Sequence, residues 1–118
     1  MGYITGFYDA GYNAIDTADV YSRWIEGHSG GESETVIGKW LKRGSVSRDK
    51  AVIVTKVGFD NKGNKTGLSK GWIAEAVEAS LKRLDTDYID LYLAHKPDTE
   101  TPVEETLEAF SKLKDAGK

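Results

Sequence analysis

Cysteine is absent from this 118-residue sequence, and histidine, proline and methionine are scarce. Without cysteine the chain has no disulfide framework, no thiolate nucleophile and no cysteine-ligated metal. The two histidines, His28 and His95, do not stand in an acidic cluster with the spacing of metal ligands. The sequence therefore predicts no metal site.

Long apolar runs and an excess of positive charge are missing as well. No segment approaches the roughly 18 consecutive apolar residues of a membrane span. The opening residues, MGYITGFYDAGY, lack the basic start and apolar run of a signal peptide. The formal charge of −3 gives no basic surface for nucleic acid or for an anionic membrane. We expect a cytoplasmic protein without nucleic-acid or membrane partners.

The residues that are present suit one globular domain. Hydrophobic residues make up 39% and charged residues 30% of the sequence, a balance that argues against a disordered chain. A chain of this length can form one hydrophobic core but not two. We therefore treat residues 1–118 as a single segment.

Helical and strand patterns alternate along the chain. Helical spacing of apolar residues occurs at 3–10, before Gly11, at 33–43, before Gly44, at about 69–84, and from 101 onward. Short β-rich runs lie between them at 13–16, 51–59 and 87–95. Two helices have start signals: Ser69 as an N-cap, and TPVE with Thr101 as N-cap, Pro102 at the first helical position and Glu104 closing a capping box.

Helices that alternate with strands buried on both faces are typical of an α/β fold with a parallel sheet. The run AVIVTKVGF, residues 51–59, is the clearest strand of this kind. Three strands are few for such a sheet, because two of them are edges with unpaired backbone groups. The sequence therefore predicts an α/β architecture that is incomplete.

Each predicted strand has an ionisable residue at or near its carboxyl end. These are Asp16, Lys56 and His95, and Tyr21 lies in the loop just after the first strand. Because parallel strands point their carboxyl ends the same way, we expect all four groups on one rim of the sheet. Ligands of parallel α/β folds gather at that rim.

Each of the four residues also has an ordinary structural explanation. Asp16 can cap the next turn through its neighbours, and a lone lysine such as Lys56 can extend from an apolar strand to solvent. His95 can be a loop histidine bonded to backbone, and Tyr21 a surface aromatic. Four independent coincidences on one rim are less plausible than a shared site.

The chemistry open to this set is donation of a proton from a phenol to a carbonyl oxygen as a hydride arrives. A lysine ammonium favours the ionised form of a nearby phenol, and a carboxylate paired with the lysine fixes its position. An imidazole can orient the carbonyl group. These residue types therefore suit carbonyl reduction.

The sequence also resembles a known family, the aldo-keto reductases. The matching stretches are DAGYNAIDTADVYS, GGESETVIGKWLKRGSVSRDKAVIVTKVG, GLSKGWIAEAVEASLKRLDTDYIDLYLAH and TPVEETLEAFSKLKDAGK. They cover most of the chain in the family's order, and GGESE is similar to the bacterial branch.

By that resemblance, four residues match the family's catalytic tetrad. Tyr21 would be the general acid, Lys56 would assist its ionisation, Asp16 would orient Lys56, and His95 would place the carbonyl. Tyr21 and His95 would contact a small carbonyl substrate, and Asp16 would contact the cofactor NADPH. The activity implied is NADPH-dependent reduction of aldehydes or ketones.

The resemblance implies an incomplete (β/α)8 TIM barrel with about strands 2–4 and helices 1–4. The first strand and strands 5–8, which hold most of the cofactor in the family, would be missing. An alternative is therefore an inactive α/β fragment that forms a homo-oligomer through exposed sheet edges. A binding module without turnover is a third possibility, but it would not need an activated phenol.

Two loops offer competing interpretations. GHSGGES, with glycines ahead of a helix, resembles a phosphate cradle, but Glu32 puts negative charge where phosphate would bind, so we expect an acidic helix start. FDNKGNKTGLSK, residues 59–70, is either an anion patch or a solvated loop, and the second is the prediction.

Overall fold

The computed structural model describes residues 2–59 and 67–118. Within these ranges the chain alternates helices with strands. The elements are α1 (Gly2–Asp9), β1 (Ala14–Asp16), α2 (Glu32–Lys42), a 3-10 turn (Arg48–Lys50), β2 (Val52–Val57), α3 (Lys70–Leu84), β3 (Leu91–Ala94) and α4 (Val103–Asp115). Most of the predicted loop at residues 59–70 lies outside the described residues.

The strands form one parallel sheet in the order β1-β2-β3. Ala14 pairs with Val52, and Val54 pairs with Leu91, so the carboxyl ends of the three strands lie side by side. The predicted α/β class with a parallel sheet is confirmed. No helix in the described ranges is long and apolar enough to cross a membrane.

The strands are not buried on both faces, and that prediction is wrong. Along β2, Ile53, Thr55 and Val57 are fully buried, whereas the alternate residues are only half-buried. On β3, Leu91 is 48% and Leu93 36% exposed. The buried face packs against α2 and α3, while the side chains that point the other way form an open face of the sheet.

The third strand is also shorter than predicted. Residues 87–90 lie along Arg48, although the Asp90 N–H still donates to the Ile53 carbonyl oxygen of β2 at 3.2 Å. The Arg48 guanidinium donates to the Tyr88 carbonyl oxygen at 2.7 Å and to the Asp90 carboxylate at 2.8 Å. The same carboxylate accepts the Ile53 N–H at 2.9 Å. A side chain thereby takes a backbone bond that a longer β3 would have made.

Helix α3 begins where the sequence predicts, directly after Ser69. The Ser69 hydroxyl accepts a hydrogen bond from the Trp72 N–H at 3.3 Å, as an N-cap does. This bond fixes where the helix leaves the loop that follows β2.

The capping box predicted for α4 is wrong. The helix begins at Val103, and Pro102 occupies the capping position without a side-chain bond. Thr101 is engaged elsewhere, because its hydroxyl donates to Asp98 at 2.7 Å. Asp98 also accepts the Leu68 N–H at 3.0 Å, so its carboxylate, and not Thr101, organises this turn.

Helices α2 and α3 cross very closely, and a glycine makes the crossing possible. A Cβ atom added at Gly38 would overlap the Arg83 carbonyl oxygen and lie 3.0 Å from the carbonyl carbon of Leu84. Above this crossing the fully buried Glu34 accepts from Arg83 Nε and from the Thr55 hydroxyl, both at 2.6 Å. The interface between the helices and β2 therefore contains an ion pair in which the acid is fully buried and the Arg83 side chain is 30% exposed.

Candidate active site

Three of the four predicted site residues are bonded to one another at the carboxyl rim of the sheet. Lys56 Nζ lies 2.9 Å from both carboxylate oxygens of Asp16 and 3.1 Å from Tyr21 Oη. Tyr21 Oη also lies 3.4 Å from Asp16 Oδ2. β1 supplies the acid, β2 the lysine and the first loop the phenol, so the parallel register brings them together.

His95 completes the group directly after β3. Its backbone N–H donates to the Val57 carbonyl oxygen at 2.8 Å, which extends the sheet by one bond. The imidazole faces the Tyr21 ring edge-on, with 6.1 Å between ring centres. In the described part of the chain its Nδ1 is buried without a hydrogen-bond partner.

The geometry decides against two of the ordinary explanations. Asp16 does not cap the next turn through Thr17, because the Thr17 N–H donates to the Val54 carbonyl oxygen at 2.8 Å. Lys56 does not extend to solvent, because its side chain is only 15% exposed. Its ammonium has a third partner in the Thr17 carbonyl oxygen, at 2.8 Å.

The sequence analysis did not predict the residues that hold Lys56 in place. Thr17 is fully buried, and its hydroxyl lies 2.7 Å from the hydroxyl of Ser33, in the first turn of α2. This bond holds the turn whose carbonyl oxygen accepts from Lys56. The sequence feature that could have indicated this role is Thr17 itself, which directly follows Asp16 in the segment IDTAD.

The site shifts two ionisation equilibria in opposite directions. Desolvation is the largest influence on Lys56 and lowers its pKa, but hydrogen bonds and charge from Asp16 and Tyr21 outweigh it and raise the pKa above its usual value. The pKa of His95 is lowered, first by desolvation and then by the charges of Lys56 and Lys96. Lys56 is therefore a cation and His95 a neutral base at pH 7.

We expect His95 to stay neutral until the pH falls below its usual pKa of about 6.5. Lys56→Met should raise the pKa of His95, because it removes a nearby positive charge and leaves Asp16 unpaired. The measurement is an NMR titration of the His95 ring proton, with Lys39→Met as the control on an exposed face of α2. A His95 pKa unchanged by Lys56→Met would contradict this electrostatic account.

A cavity of about 240 Å³ opens beside Tyr21 and His95. Its lining residues are Val20, Tyr21, Arg23, Trp24, Phe59 and His95. The Phe59 ring lies 5.0 Å from the imidazole, and the Trp24 ring 6.1 Å from the phenol, between ring centres. Sequence reasoning missed Arg23, Trp24 and Phe59, although they follow the ends of β1 and β2, where site residues were expected.

The glycine-rich loop before α2 does not present free amides to a phosphate. The Glu32 carboxylate accepts the N–H groups of Ser29 at 2.7 Å and Gly30 at 3.2 Å. Desolvation raises the pKa of Glu32, but these bonds outweigh it and leave the pKa below its usual value. The protein's own carboxylate thus occupies the place where a bound anion would lie, in agreement with the predicted acidic helix start.

Residues 3–118 match the sequence model of the aldo/keto reductase family. The chain belongs to the aldo-keto reductase family. It is 44% identical over 112 residues to aldo-keto reductase YhdN of Bacillus subtilis, covering 93% of this chain and 31% of that protein. It is also 44% identical over 114 residues to a Schizosaccharomyces pombe protein provisionally named a voltage-gated potassium channel subunit beta, covering 94% and 31%.

Solved structures agree with this assignment. Aldo-keto reductase AKR11C1 from Bacillus halodurans, in its holo form, aligns with a TM-score of 0.78 and 39% identity over 97% of this chain and 36% of its own. The thermostable aldo-keto reductase Tm1743, in complex with the inhibitor epalrestat, aligns with a TM-score of 0.79 and 36% identity over 98% and 37%. The chain therefore spans about a third of the relatives it matches, and its fold corresponds to part of their barrel.

Proposed function

We propose that this chain is the catalytic segment of an NADPH-dependent reductase of aldehydes or ketones, with Tyr21 as the proton donor. The main support is the position of Lys56, whose ammonium touches both the Tyr21 hydroxyl and the Asp16 carboxylate. This contact puts a positive charge beside the phenolic oxygen, and the carboxylate keeps the ammonium in place.

The residues at the rim fit the reacting end of a nicotinamide cofactor. The Asp16 side chain remains 59% exposed on the open face of the sheet, so a planar ring can approach it there. The glycine-rich loop does not fit the phosphates, because Glu32 already binds its N–H groups. When bound, NADPH supplies the hydride.

Proton transfer is the task of the chain's own residues. His95 Nε2 and Tyr21 Oη bind and orient the carbonyl oxygen of the substrate. The phenolic proton moves to that oxygen as the carbonyl carbon gains the hydride, which gives the alcohol. Lys56 stabilises the phenolate that forms, and solvent at the open rim restores its proton.

The test is an NADPH oxidation assay on the full-length gene product with a panel of small aldehydes and ketones. We expect absorbance loss that depends on the carbonyl compound and a matching yield of alcohol. The 118-residue chain alone should show little turnover, since its relatives are about three times as long. Absence of carbonyl-dependent oxidation by the full-length protein would refute the proposal.

A second candidate role is self-association of the isolated chain, and the open face of the sheet favours it. Leu91 and Leu93 project from β3 beside a free edge, and both are substantially exposed. A second copy would cover this face by packing its own exposed Leu91 and Leu93 against it, or would pair its β3 with the free edge.

We expect the isolated chain to sediment as a concentration-dependent mixture of monomer and dimer. Leu91→Lys should shift this equilibrium towards monomer, because it places a charge among the exposed apolar side chains of β3. Tyr3→Lys, at a side chain that is 95% exposed on α1, is the matched control. Sedimentation velocity decides, and a concentration-independent monomer would rule out this role.

A further inference from the structure

The first turn of α2 binds both of the strands that carry the acid and the lysine of the rim. Ser33 Oγ lies 2.7 Å from the hydroxyl of Thr17, which directly follows the last residue of β1. The next residue of the helix, Glu34, accepts the hydroxyl of Thr55, in β2, at 2.6 Å. Thr17 directly follows the acid of the rim in sequence, and Thr55 directly precedes the lysine. One helical turn is therefore bonded to a sequence neighbour of each.

These bonds lie on the face of the sheet opposite the site. Thr17 and Thr55 are fully buried against the helices. The Asp16 side chain is 59% exposed and the Lys56 side chain 15% exposed, and the two meet on the open face. Successive side chains along an extended chain point to opposite faces, so each threonine lies behind its neighbour in the site. Helix α2 can therefore influence the site without contacting a substrate.

Thr17 is the residue through which the helix reaches Lys56. The Thr17 carbonyl oxygen accepts from Lys56 Nζ at 2.8 Å, a shorter distance than those from the ammonium to Asp16 and Tyr21. The Thr17 N–H holds the turn against β2, and the Thr17 hydroxyl holds it against Ser33 of α2. A carbonyl oxygen keeps an ammonium in one place only if its own peptide group is fixed, and the bond to the helix contributes to that.

We propose that Ser33 is a positioning residue for the Lys56 ammonium and acts through Thr17. The proposal rests on the reductase function proposed above and adds a residue to its mechanism. Without the bond between the two hydroxyls, the Thr17 peptide is released from α2 and turns away from the ammonium, which then shifts relative to the Tyr21 hydroxyl. A displacement of about 1 Å at a reacting group can lower the rate about 100-fold, so a bond outside the site is able to control turnover.

Removal of the Ser33 hydroxyl tests the proposal in the full-length protein. Ser33→Ala should lower kcat for carbonyl reduction about 10- to 100-fold and change KM little, because the groups that bind the carbonyl compound remain. Ser33→Thr keeps a hydroxyl at this place and should recover most of kcat. Thr35→Val is the matched control, since it removes a hydroxyl from the same turn of α2 that bonds to the Gly31 carbonyl oxygen and not to a strand.

A double variant separates positioning from stability. Ser33→Ala leaves the buried Thr17 hydroxyl without this partner, which destabilises the fold. Thr17→Val combined with Ser33→Ala removes both hydroxyls, so the melting temperature should return towards that of the parent protein. Because the bond is still missing, kcat should stay as low as in Ser33→Ala. A kcat that recovers together with the melting temperature would show that the bond only stabilises the fold, and the proposal would be wrong.

A crystal structure of the full-length Ser33→Ala variant provides a readout that does not depend on activity. Lys56 Nζ should lie outside hydrogen-bonding distance of Tyr21 Oη, whereas the contact at 3.1 Å should remain in Thr35→Val. If the parent protein reduces no carbonyl compound, the reductase function fails, and this structure still decides whether Ser33 positions Lys56. An unchanged contact in Ser33→Ala, or an equal loss of kcat in Thr35→Val, would overturn the proposal.

Discussion

Replacing Tyr21 with phenylalanine should lower kcat for carbonyl reduction by the full-length protein about 10²- to 10⁴-fold. The substitution removes the hydroxyl that we propose as the proton donor and that Lys56 contacts at 3.1 Å. It keeps the ring, which packs edge-on against Trp24 and His95. The fold and the cavity should therefore survive, and the loss should lie in kcat and not in stability.

The controls for Tyr21→Phe use the same chemical change elsewhere. Tyr12→Phe removes a hydroxyl from an exposed side chain and should leave turnover unchanged. Thermal melting and circular dichroism of Tyr21→Phe should match the parent protein. If the variant keeps turnover close to that of the parent protein, the proton comes from another group and the proposed role of Tyr21 is wrong.

The second prediction with a large expected effect concerns the stability of the fold. Its residues lie away from the carboxyl rim of the sheet. Glu34→Ala should lower the free energy of unfolding by about 1–3 kcal/mol, because it leaves the buried Thr55 hydroxyl and the partly exposed Arg83 guanidinium without their carboxylate acceptor. Glu34 is fully buried and binds both Arg83 Nε and the Thr55 hydroxyl. Its removal also opens a cavity between α2, α3 and β2. Urea denaturation of the parent and the variant measures the difference.

Two further variants test whether the loss of stability comes from the unpaired charge of Arg83. Glu34→Leu combined with Arg83→Met should be less damaging than Glu34→Ala, since apolar groups of similar size replace the whole pair. Glu108→Ala removes one partner of an exposed ion pair with Lys112 and should have little measurable effect. If Glu34→Ala lowers the free energy of unfolding no more than Glu108→Ala does, the pair of Glu34 and Arg83 does not stabilise the fold.

Much of the fold could be read from the sequence because local patterns determine it. The helical spacing of Ile73, Ala76, Val77 and Leu81 predicted α3, and the Ser69 hydroxyl caps that helix as expected. The β-branched run around Ile53 predicted β2. In both cases neighbours along the chain specify the structure, so no distant contact is needed to recognise it.

The errors arose where another bond competes with the structure that the local pattern predicts. Thr101 would cap α4 in isolation, but Asp98 binds its hydroxyl. Residues 87–90 have strand-forming character, but Arg48 binds the Tyr88 carbonyl and Asp90. Burial of β2 and β3 on both faces could not be judged either, because it depends on what lies against the open face. Arg48 lies 40 residues from Tyr88 and 42 from Asp90, so no local pattern reveals these two bonds. Asp98 and Thr101 are only three residues apart, so their bond is a local alternative to the capping box.

The sequence by itself determined the alternation of helices and parallel strands, and it predicted that Asp16, Tyr21, Lys56 and His95 share one rim. That inference follows from strand direction alone, because parallel strands end at the same edge of a sheet. Only the tertiary structure decided that the Lys56 ammonium is shared by Asp16, Tyr21 and Thr17. Side-chain distances depend on register and packing, and these also placed Arg23 and Phe59 among the residues that line the cavity.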